Sequence, residues 1–364
     1  MSADATSDLI LQARDLAKSF VSPKPLFGKG ARVRAVDGVS FDVRRGETLA
    51  IVGESGCGKS TLARLLIRLL EADGGEVLFE GRDLAQMSAA EMRALRGEMQ
   101  IVFQDPFSSL NPRMSAGDIV TEALWLKEGL RGAARRAKAR ELLALVGLRP
   151  AHADRYPHEF SGGQRQRIGI ARAIAGGPKL IIGDEPVSAL DVSVQAQIIN
   201  LLEDLKERLA LTLVVIAHDL AVIRHMSDRV IVMYLGEIVE VAPVEALFSA
   251  PLHPYTQALL AAIPAPDPGL AASQALLTGE APNPANPPPG CRFHTRCQHV
   301  RALCREAAPK PVEAAPGRSV ACHFWNEIAP DAGGAARSSR PSDAKARRIA
   351  LYAAMQSAQA SSPA

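Results

Sequence analysis

The chain has 364 residues, with 42 Lys and Arg against 39 Asp and Glu, so its formal net charge is only +3. Apolar residues make up 47% and charged residues 22%, which is ordinary for a globular protein, whereas aromatic residues make up only 4%. This composition excludes collagen, a coiled-coil rod and a largely disordered chain, and it disfavours an aromatic surface that stacks nucleic-acid bases. The length suffices for a full core and a second, smaller module.

Membrane crossing is not expected, because no stretch approaches the roughly 20 apolar residues that span a bilayer. The longest apolar runs, such as LTLVVIA, have the length of a buried strand. The first ten residues, MSADATSDLI, contain two acidic residues and no basic start followed by an apolar block. We therefore expect no export signal, a cytoplasmic location, and membrane contact only through partner proteins.

Short β-branched runs alternate with longer segments of helical period. The runs ETLAIVG, KLIIGDE and LTLVVIAH predict strands of an α/β domain with a mainly parallel sheet that is buried on both sides. Between about 85 and 165 the strand signals thin out, and helices broken by Gly129 and Gly147 are predicted instead. We expect a helical subdomain inserted in the sheet domain.

Proline marks the boundary of a C-terminal module. From 251 to 289, ten of 39 residues are proline, which removes backbone donors and leaves room for only a short helix at TQALLAAI. We predict a sheet domain at 1–250, a Pro- and Cys-rich module at 251–326, and a mostly disordered tail at 327–364. A helix is expected in that tail near 344–359.

Residues 53–60 read GESGCGKS, which fits the pattern GxxxxGK[ST] between the strand TLAIV and the helix STLARLLIRLL. Glycines in such a loop let successive N–H groups point at phosphate oxygens, Lys59 supplies a positive charge, and Ser60 can bind Mg²⁺. The alternative is a glycine turn that only caps a helix. The residues predicted to bind the nucleotide here are Gly53, Ser55, Gly56, Gly58, Lys59, Ser60 and Thr61.

An acidic pair, Asp184 and Glu185, ends the apolar strand LIIGDE. Such a pair can be a surface turn, but a nucleotide site needs one carboxylate near Mg²⁺ and another beside the attacking water. We predict that Asp184 holds Mg²⁺, mostly through water, and that Glu185 polarises the attacking water.

Residues 161–167 read SGGQRQR, about twenty residues before the acidic pair. Ser161 is a hydroxyl N-cap, and Gly162 and Gly163 expose the N–H groups of a helix that begins at Gln164, whose positive end can meet an anion. A lone SGG is a common helix start, but the order and spacing of these elements resemble the ATP-binding-cassette (ABC) ATPases. The resemblance implies an α/β P-loop NTPase fold with a helical insert, and ATP with Mg²⁺ as cofactors.

Further positions match the ABC pattern. Gln104 in VFQDPF resembles the glutamine that senses Mg²⁺ or water, and His218 after VVIA resembles the histidine that contacts the terminal phosphate. The resemblance thus implies Glu185, His218 and Gln104 as catalytic residues. Asp191 in SALD resembles the loop at the dimer interface. Phe20 in LAKSF resembles the aromatic that stacks on adenine, and a place in the strand core is its alternative.

In this family a single cassette is half of a catalyst, and the resemblance implies a head-to-tail dimer. The second ATPase subunit would be identical or paralogous. Each ATP would lie between Lys59, Ser60 and Asp184 of one subunit and Ser161 and Gly163 of the other. The resemblance also implies nucleotide contacts for Gly162, Gln164 and Asp191, and it implies Gln104 as a further Mg²⁺ ligand beside Ser60 and Asp184. Hydrolysis would dissolve this contact and so drive a cycle.

Four longer stretches are more particular than the cassette motifs: FQDPFSSLNPRMSAGDIV, DEPVSALDVSVQAQ, HPYTQALLAAIP and GCRFHTRC. They resemble the ATP-binding subunits of bacterial dipeptide and oligopeptide importers, a group that includes nickel carriers. The resemblance implies two transmembrane permease subunits, an extracytoplasmic substrate-binding protein, no nucleic-acid partner, and a position at the cytoplasmic face of the inner membrane. The alternatives are a nickel or glutathione importer ATPase and a soluble ABC ATPase that acts on ribosomes or DNA, which would carry a basic surface.

The C-terminal module contains four cysteines within 32 residues: Cys291, Cys297, Cys304 and Cys322. Their gaps of five, six and seventeen residues do not match the CxxC pairs of structural zinc sites. The resemblance implies a [4Fe–4S] cluster, with zinc as second choice and scattered buried thiols as the alternative. A metal or redox sensor that regulates the ATPase is a further interpretation of the module. Three nearby histidines could replace a thiolate: His294, His299 and His323.

Overall fold

The computed structural model describes residues 8–21, 32–105, 108–263 and 281–329. Most of the basic segment at 23–34 and the helix expected near 344–359 lie outside these ranges. Within them, no helix combines the length and the apolarity that crossing a bilayer requires.

A central sheet of eight strands carries the larger part of the fold. In spatial order its strands are β11 (Val312–Ala315), β12 (Arg318–Val320), β10 (Glu237–Pro243), β9 (Arg229–Tyr234), β3 (Thr48–Val52), β8 (Thr212–Ile216), β7 (Leu180–Asp184) and β6 (Met99–Val102). The strands from β9 to β6 are parallel, and β10, β12 and β11 continue the sheet in antiparallel pairing. Every residue of β3, β7 and β8 is buried, as expected for strands covered on both faces.

A second, four-stranded antiparallel sheet lies beside the first. It consists of β1 (Leu9–Val21), β2 (Arg32–Arg44), β4 (Gly74–Phe79) and β5 (Arg82–Asp83), in the order β2-β1-β4-β5. Alternate residues of β3 belong to two separate hydrophobic cores. Leu49 and Ile51 pack with the second sheet, and Ala50 and Val52 pack with the helices on the other face. Because alternate side chains of a strand point to opposite faces, β3, which precedes the phosphate loop, is anchored in both cores.

The helices are α1 (Lys59–Leu66), α2 (Ala89–Leu95), α3 (Ala116–Glu128), α4 (Gly132–Leu145), α5 (Gly162–Ile174), α6 (Val192–Leu209), α7 (Leu220–Met226), α8 (Val244–Ser249), α9 (Pro254–Ala261) and α10 (Ala302–Glu306). Helices α3, α4 and α5 pack on one another and form the helical insert. Gly129, at φ +68°, ends α3, and Gly147, at φ +74°, follows the end of α4. Both helix ends are where the sequence predicts them.

The range predicted for the helical insert, 85–165, also contains a strand of the central sheet. Strand β6 has only four residues, MQIV, and pairs in parallel with β7. A run this short carries no detectable alternation, so the sequence indicates no strand there. The insert helices begin after β6, and α5 continues to Ile174, beyond the predicted end.

The C-terminal module extends the central sheet. Strand β12 pairs with β10 through Val320 opposite Glu240, and β11 pairs with β12 as a hairpin. Phe293 from the module lies 5.3 Å from Tyr234 and 5.4 Å from Tyr255 between ring centroids, inside the larger hydrophobic core. The module is therefore packed onto the sheet domain as part of one core, while its boundary at 250/251 stays a prediction.

A fully buried carboxylate, Glu240, fixes the chain where the module begins. Its oxygens accept hydrogen bonds from the N–H groups of Leu252 and His253, both at 2.9 Å, and from the Arg318 guanidinium at 3.3 Å. The Nδ1 atom of His253 in turn accepts a hydrogen bond from the N–H of Tyr255 at 3.0 Å, and it thereby caps α9. Burial of the imidazole lowers the pKa of His253 to about 3.

Acid is expected to destabilise the protein through His253. The unfolded chain takes up a proton near the ordinary pKa of 6.5 and the folded chain near 3, so stability falls as the pH drops through this interval. The slope from this one group is at most about 1.4 kcal/mol per pH unit. Thermal unfolding midpoints between pH 7.5 and pH 5 should depend less on pH in His253→Asn, where Asn can still cap the helix.

The matched control is His225→Asn, which changes a histidine with a 70% exposed side chain and should leave the pH dependence as in the parent. An unchanged pH slope in His253→Asn would show that another group carries the acid sensitivity.

Candidate functional site

The phosphate loop at 53–60 connects β3 to α1, as the sequence predicts. Two of its glycines are required by their surroundings. Gly58 has φ +107°, and a Cβ there would lie 1.9 Å from the carbonyl oxygen of Ala35. Gly53 has φ +154°, and a Cβ there would lie 2.3 Å from the carbonyl oxygen of Met233. Side chains at these positions would push the loop away from the strands that support it.

The Lys59 ammonium group lies under the loop. The residue is buried, and its Nζ atom donates hydrogen bonds to the carbonyl oxygens of Gly53 at 2.8 Å and Glu54 at 2.9 Å. These bonds hold a positive charge within the loop, where outer phosphates of a nucleotide are bound in this kind of motif.

Oxygen ligands suited to Mg²⁺ meet at the start of α1. The Ser60 hydroxyl donates a hydrogen bond to Oδ1 of Asp184 at 2.8 Å, although the two residues are 124 positions apart. Burial raises the pKa of Asp184, while the Ser60 hydroxyl and the charges of Arg64 and Lys59 act in the opposite direction. A hydroxyl and a carboxylate are hard ligands of the type that Mg²⁺ prefers, so these residues fit the predicted ion.

The three residues predicted to be catalytic are brought together. Glu185 Oε2 accepts a hydrogen bond from the Gln104 amide at 2.9 Å and lies 3.5 Å from His218 Nδ1. The backbone of Glu185 has φ +49°, which is unusual for a residue other than glycine, and its N–H donates to the carbonyl oxygen of Ile216 at 3.0 Å. The neighbouring strand thus holds the backbone in a conformation that turns this carboxylate toward the cleft.

A cleft of about 420 Å³ joins these groups. Its lining consists of Phe20, Ala35, Ser55, Gly56, Gly58, Lys59, Ser60, Thr61, Gln104, Glu185 and His218. Ten of these eleven residues are site residues predicted from the sequence. Phe20 is 43% exposed, so it lies at the cleft and not in the strand core that was its alternative.

The signature residues lie outside this cleft. Ser161 caps α5, since its hydroxyl accepts a hydrogen bond from the N–H of Gln164 at 3.4 Å and the Gln164 side chain accepts from the N–H of Ser161 at 3.1 Å. Gly163 lies against α6, where a Cβ would come within 2.4 Å of Val194. Asp191 occupies the N-cap position of α6 without a side-chain cap bond. None of these residues lines the cleft around Lys59.

Two residues of the C-terminal module touch the phosphate loop and are missing from the sequence predictions. Tyr255 accepts a hydrogen bond from the N–H of Glu54 at 2.8 Å, and Arg296 forms an ion pair with the Glu54 carboxylate at 2.7 Å. The stretches HPYTQALLAAIP and GCRFHTRC, which contain them, are noted above only as marks of a subgroup. Nothing in the spacing of these stretches indicates a contact with Glu54.

Comparison with known proteins gives consistent matches. The family described as "ABC transporter" matches residues 36–188, and the family described as "Oligopeptide/dipeptide transporter, C-terminal region" matches residues 239–304. The protein named "Probable peptide ABC transporter ATP-binding protein y4tS" of Sinorhizobium fredii is 55% identical over 318 residues, which cover 87% of this chain and 90% of that protein. The oligopeptide transport ATP-binding protein AppF of Bacillus subtilis is 52% identical over 326 residues, covering 88% of this chain and 99% of AppF.

Among solved structures, the dimeric ATP-binding cassette MJ0796 in a post-hydrolysis state with ADP and phosphate is similar to this chain. The TM-score is 0.58 at 29% identity, and the match covers 65% of this chain and 99% of that one. These similarities confirm the predicted cassette fold, the resemblance to peptide-importer ATPases and the assignment as an ATP-hydrolysing enzyme. The individual roles of the site residues stay predictions.

The iron–sulfur prediction is wrong. In the parts of the chain that the structure describes, which include all four module cysteines, no group of three or more His, Cys, Asp or Glu side chains is arranged to hold a metal ion. The names of the relatives also carry no iron–sulfur role. The zinc alternative has no support in these residues either.

Two of the four module cysteines pack as small apolar side chains. Cys291 and Cys297 contact the larger hydrophobic core, and burial raises their pKa values to about 12 and about 11. Two of the three nearby histidines are bound to the backbone: His294 Nδ1 lies 2.8 Å from the carbonyl oxygen of Cys291, and His323 Nε2 lies 2.9 Å from that of Ala307. For Cys291 and Cys297, packing of a neutral thiol against the core accounts for the position of the side chain without a metal.

Proposed function

Because the chain belongs to the ATP-binding subunits of the peptide ABC transporters, we propose that its ATP hydrolysis drives the import of dipeptides or oligopeptides. The observation that carries the proposal is the union of two features in one chain. The nucleotide cleft lies on the cassette, and the residues at 239–304 match the C-terminal region of oligopeptide and dipeptide transporters. The printed names of the relatives, which refer to peptide transport, support the same substrate class.

The residues of the cleft divide the work of hydrolysis. Lys59 and the loop N–H groups bind the outer phosphates, and Ser60 and Asp184 supply oxygen ligands for Mg²⁺. When bound, Mg²⁺ neutralises charge on the phosphates that separate. Glu185 accepts the proton of the attacking water. Gln104 donates a hydrogen bond to the Glu185 carboxylate and so orients that carboxylate.

His218 and Phe20 complete the nucleotide site. The His218 imidazole lies 3.5 Å from the Glu185 carboxylate and is exposed toward the cleft, where it contacts the terminal phosphate. The exposed ring of Phe20 lines the same cleft and offers a flat apolar face for adenine.

The working form is a head-to-tail dimer of cassettes. The capped N-terminus of α5, with Ser161 and Gly163, lies outside the cleft of its own chain and offers N–H groups to a phosphate held by a second subunit. The second cassette is identical or paralogous. The dimer acts at the cytoplasmic face of the inner membrane, with two permease subunits and an extracytoplasmic substrate-binding protein as partners.

Affinity purification of the full chain from detergent-solubilised membranes is expected to recover a second cassette subunit and two permease subunits. Vesicles that contain this assembly should take up labelled peptide only when ATP is supplied, and cells without the affinity tag provide the control. Recovery of ribosomal proteins that is lost after RNase treatment would instead support the soluble ATPase. Uptake of nickel without uptake of peptide would contradict the peptide assignment.

A further inference from the structure

Glu54, the second residue of the phosphate loop, is held on three sides. Its N–H donates a hydrogen bond to the Tyr255 hydroxyl at 2.8 Å, and its carbonyl oxygen accepts one from Lys59 at 2.9 Å. Its two carboxylate oxygens bind the two terminal nitrogens of Arg296 at 2.7 and 2.9 Å. Tyr255 and Arg296 both come from the C-terminal module, so the module touches the loop through backbone and side chain at one residue.

The Arg296 contact is rigid. The side chain is only 6% exposed, and its Nη1 atom also lies 3.4 Å from the Tyr234 hydroxyl. The hydrogen bonds that the guanidinium donates to the Glu54 carboxylate raise the pKa of Arg296, so Arg296 stays charged. Two parallel hydrogen bonds between a guanidinium and a carboxylate fix both distance and orientation.

An aromatic cluster positions the groups that hold the loop. The ring centroids of Tyr234 and Tyr255 are 4.6 Å apart, and Phe293, three residues before Arg296, packs against both rings. Tyr255 and Phe293 are buried. Packing of these rings leaves the Tyr255 hydroxyl and the Arg296 side chain little freedom to move away from Glu54.

A second arginine of the module supports the wall behind the loop. Arg292 forms ion pairs with Asp37 and with Glu237, the latter at 2.9 Å, and it also donates to the carbonyl oxygen of Leu235. The N–H of Gly236, the next residue, donates to the carbonyl oxygen of Cys57 in the phosphate loop at 2.9 Å. The module therefore contacts both the loop and the turn on which the loop rests.

Electrostatics gives the Arg296 contact a consequence for nucleotide binding. Glu54 places a negative charge within a loop whose task is to bind a polyanion, and an unpaired carboxylate there would repel ATP. The fixed guanidinium of Arg296 cancels this charge at a distance of 2.7 Å. We propose that Arg296 and Tyr255 are positioning residues of the ATP site, through which the C-terminal module sets the affinity of the phosphate loop for ATP.

This inference rests on the nucleotide site of the proposed function. It differs from a purely structural role of Arg296 in the expected change of ATP affinity when the Glu54 charge is removed as well. If Arg296 acts by neutralising Glu54, removing Arg296 alone must weaken ATP binding more than removing both charges. If Arg296 only adds stability, the double variant must bind ATP no better than the single one. A double-mutant cycle separates these cases.

The test uses the purified full chain. ATP affinity is measured by displacement of a fluorescent ATP analogue, and the KM and kcat of ATP hydrolysis are measured in the steady state. Arg296→Met is expected to weaken ATP binding about tenfold and to raise KM, with a smaller change in kcat. The double variant Glu54→Gln with Arg296→Met should recover most of the lost affinity, and Arg296→Lys should retain part of it. The control Arg301→Met removes a pair with Glu327 on the surface of the same module, where Arg301 is 49% exposed, and should bind ATP as the parent does.

Tyr255→Phe keeps the buried ring and removes only the hydroxyl that accepts from Glu54, so it tests the backbone contact should Arg296→Met fail to fold. We expect about threefold to tenfold weaker ATP binding. Parental ATP affinity in both Arg296→Met and Tyr255→Phe, or a double variant as weak as Arg296→Met, would overturn the inference. A parent chain that binds no ATP would overturn the proposed function itself, which is a different result.

Discussion

Glu185→Gln is expected to bind ATP with parental affinity and to hydrolyse it at least about a hundredfold more slowly. Glutamine has the same shape as glutamate and can keep the contact with Gln104, but its amide cannot accept the proton of the attacking water. The backbone at this position, with φ +49°, is held by the N–H bond to Ile216 and should not change. The ATP-bound dimer should therefore accumulate, which size-exclusion chromatography with Mg²⁺ and ATP measures alongside phosphate release.

The control for this substitution is Glu141→Gln, which makes the same chemical change at a 65% exposed side chain of the helical insert. It should leave turnover and dimer formation unchanged. Near-parental phosphate release by Glu185→Gln would remove Glu185 from the role of base and would point to Asp184 or His218 in its place.

The phosphate loop of the nucleotide cleft was predictable because it is local in sequence. The phosphate loop is a continuous strand–loop–helix segment whose glycines, lysine and hydroxyl are defined by short spacing. Gln104, Glu185 and His218 follow the strands β6, β7 and β8, and the carboxyl ends of parallel strands share one edge of a sheet. The parallel sheet therefore predicts the convergence of Glu185 and His218, whereas Gln104 follows a strand that the sequence does not indicate, and its place was implied by the resemblance to ABC ATPases.

The cysteines show where spacing misleads. Four thiols within a short segment indicate proximity, and the N–H of Cys291 indeed donates a hydrogen bond to the carbonyl oxygen of Cys304 at 2.8 Å. Metal binding also requires the sulfur atoms to converge on one point, and the spacing does not fix the direction of any side chain. In the structure Cys291 and Cys297 face the hydrophobic core. A cysteine suits this position as a small apolar residue, without any metal.

The contacts of the C-terminal module with the rest of the chain could not be predicted from the sequence, for a different reason. Its proline content predicts a boundary. However, β12 joins the central sheet through a pairing with β10, and no local sequence pattern predicts this pairing. Glu54 and Arg296 are 242 positions apart, and a charge pair at that separation has no signature in composition or period. Only the packed core around Tyr234 and Phe293 brings the two charges together.

Lys59→Met is expected to weaken ATP binding about a hundredfold, because methionine fills the same buried space without the ammonium group. The loop also loses the two hydrogen bonds from Nζ to the carbonyl oxygens of Gly53 and Glu54, so the N–H groups are less well directed at the phosphates. Binding of a fluorescent ATP analogue measures the effect. Lys179→Met, at the surface beside Glu80 and Glu98, makes the same change away from the cleft and should bind normally. Equal affinity of the two variants would mean that the lysine in the phosphate loop does not hold the nucleotide.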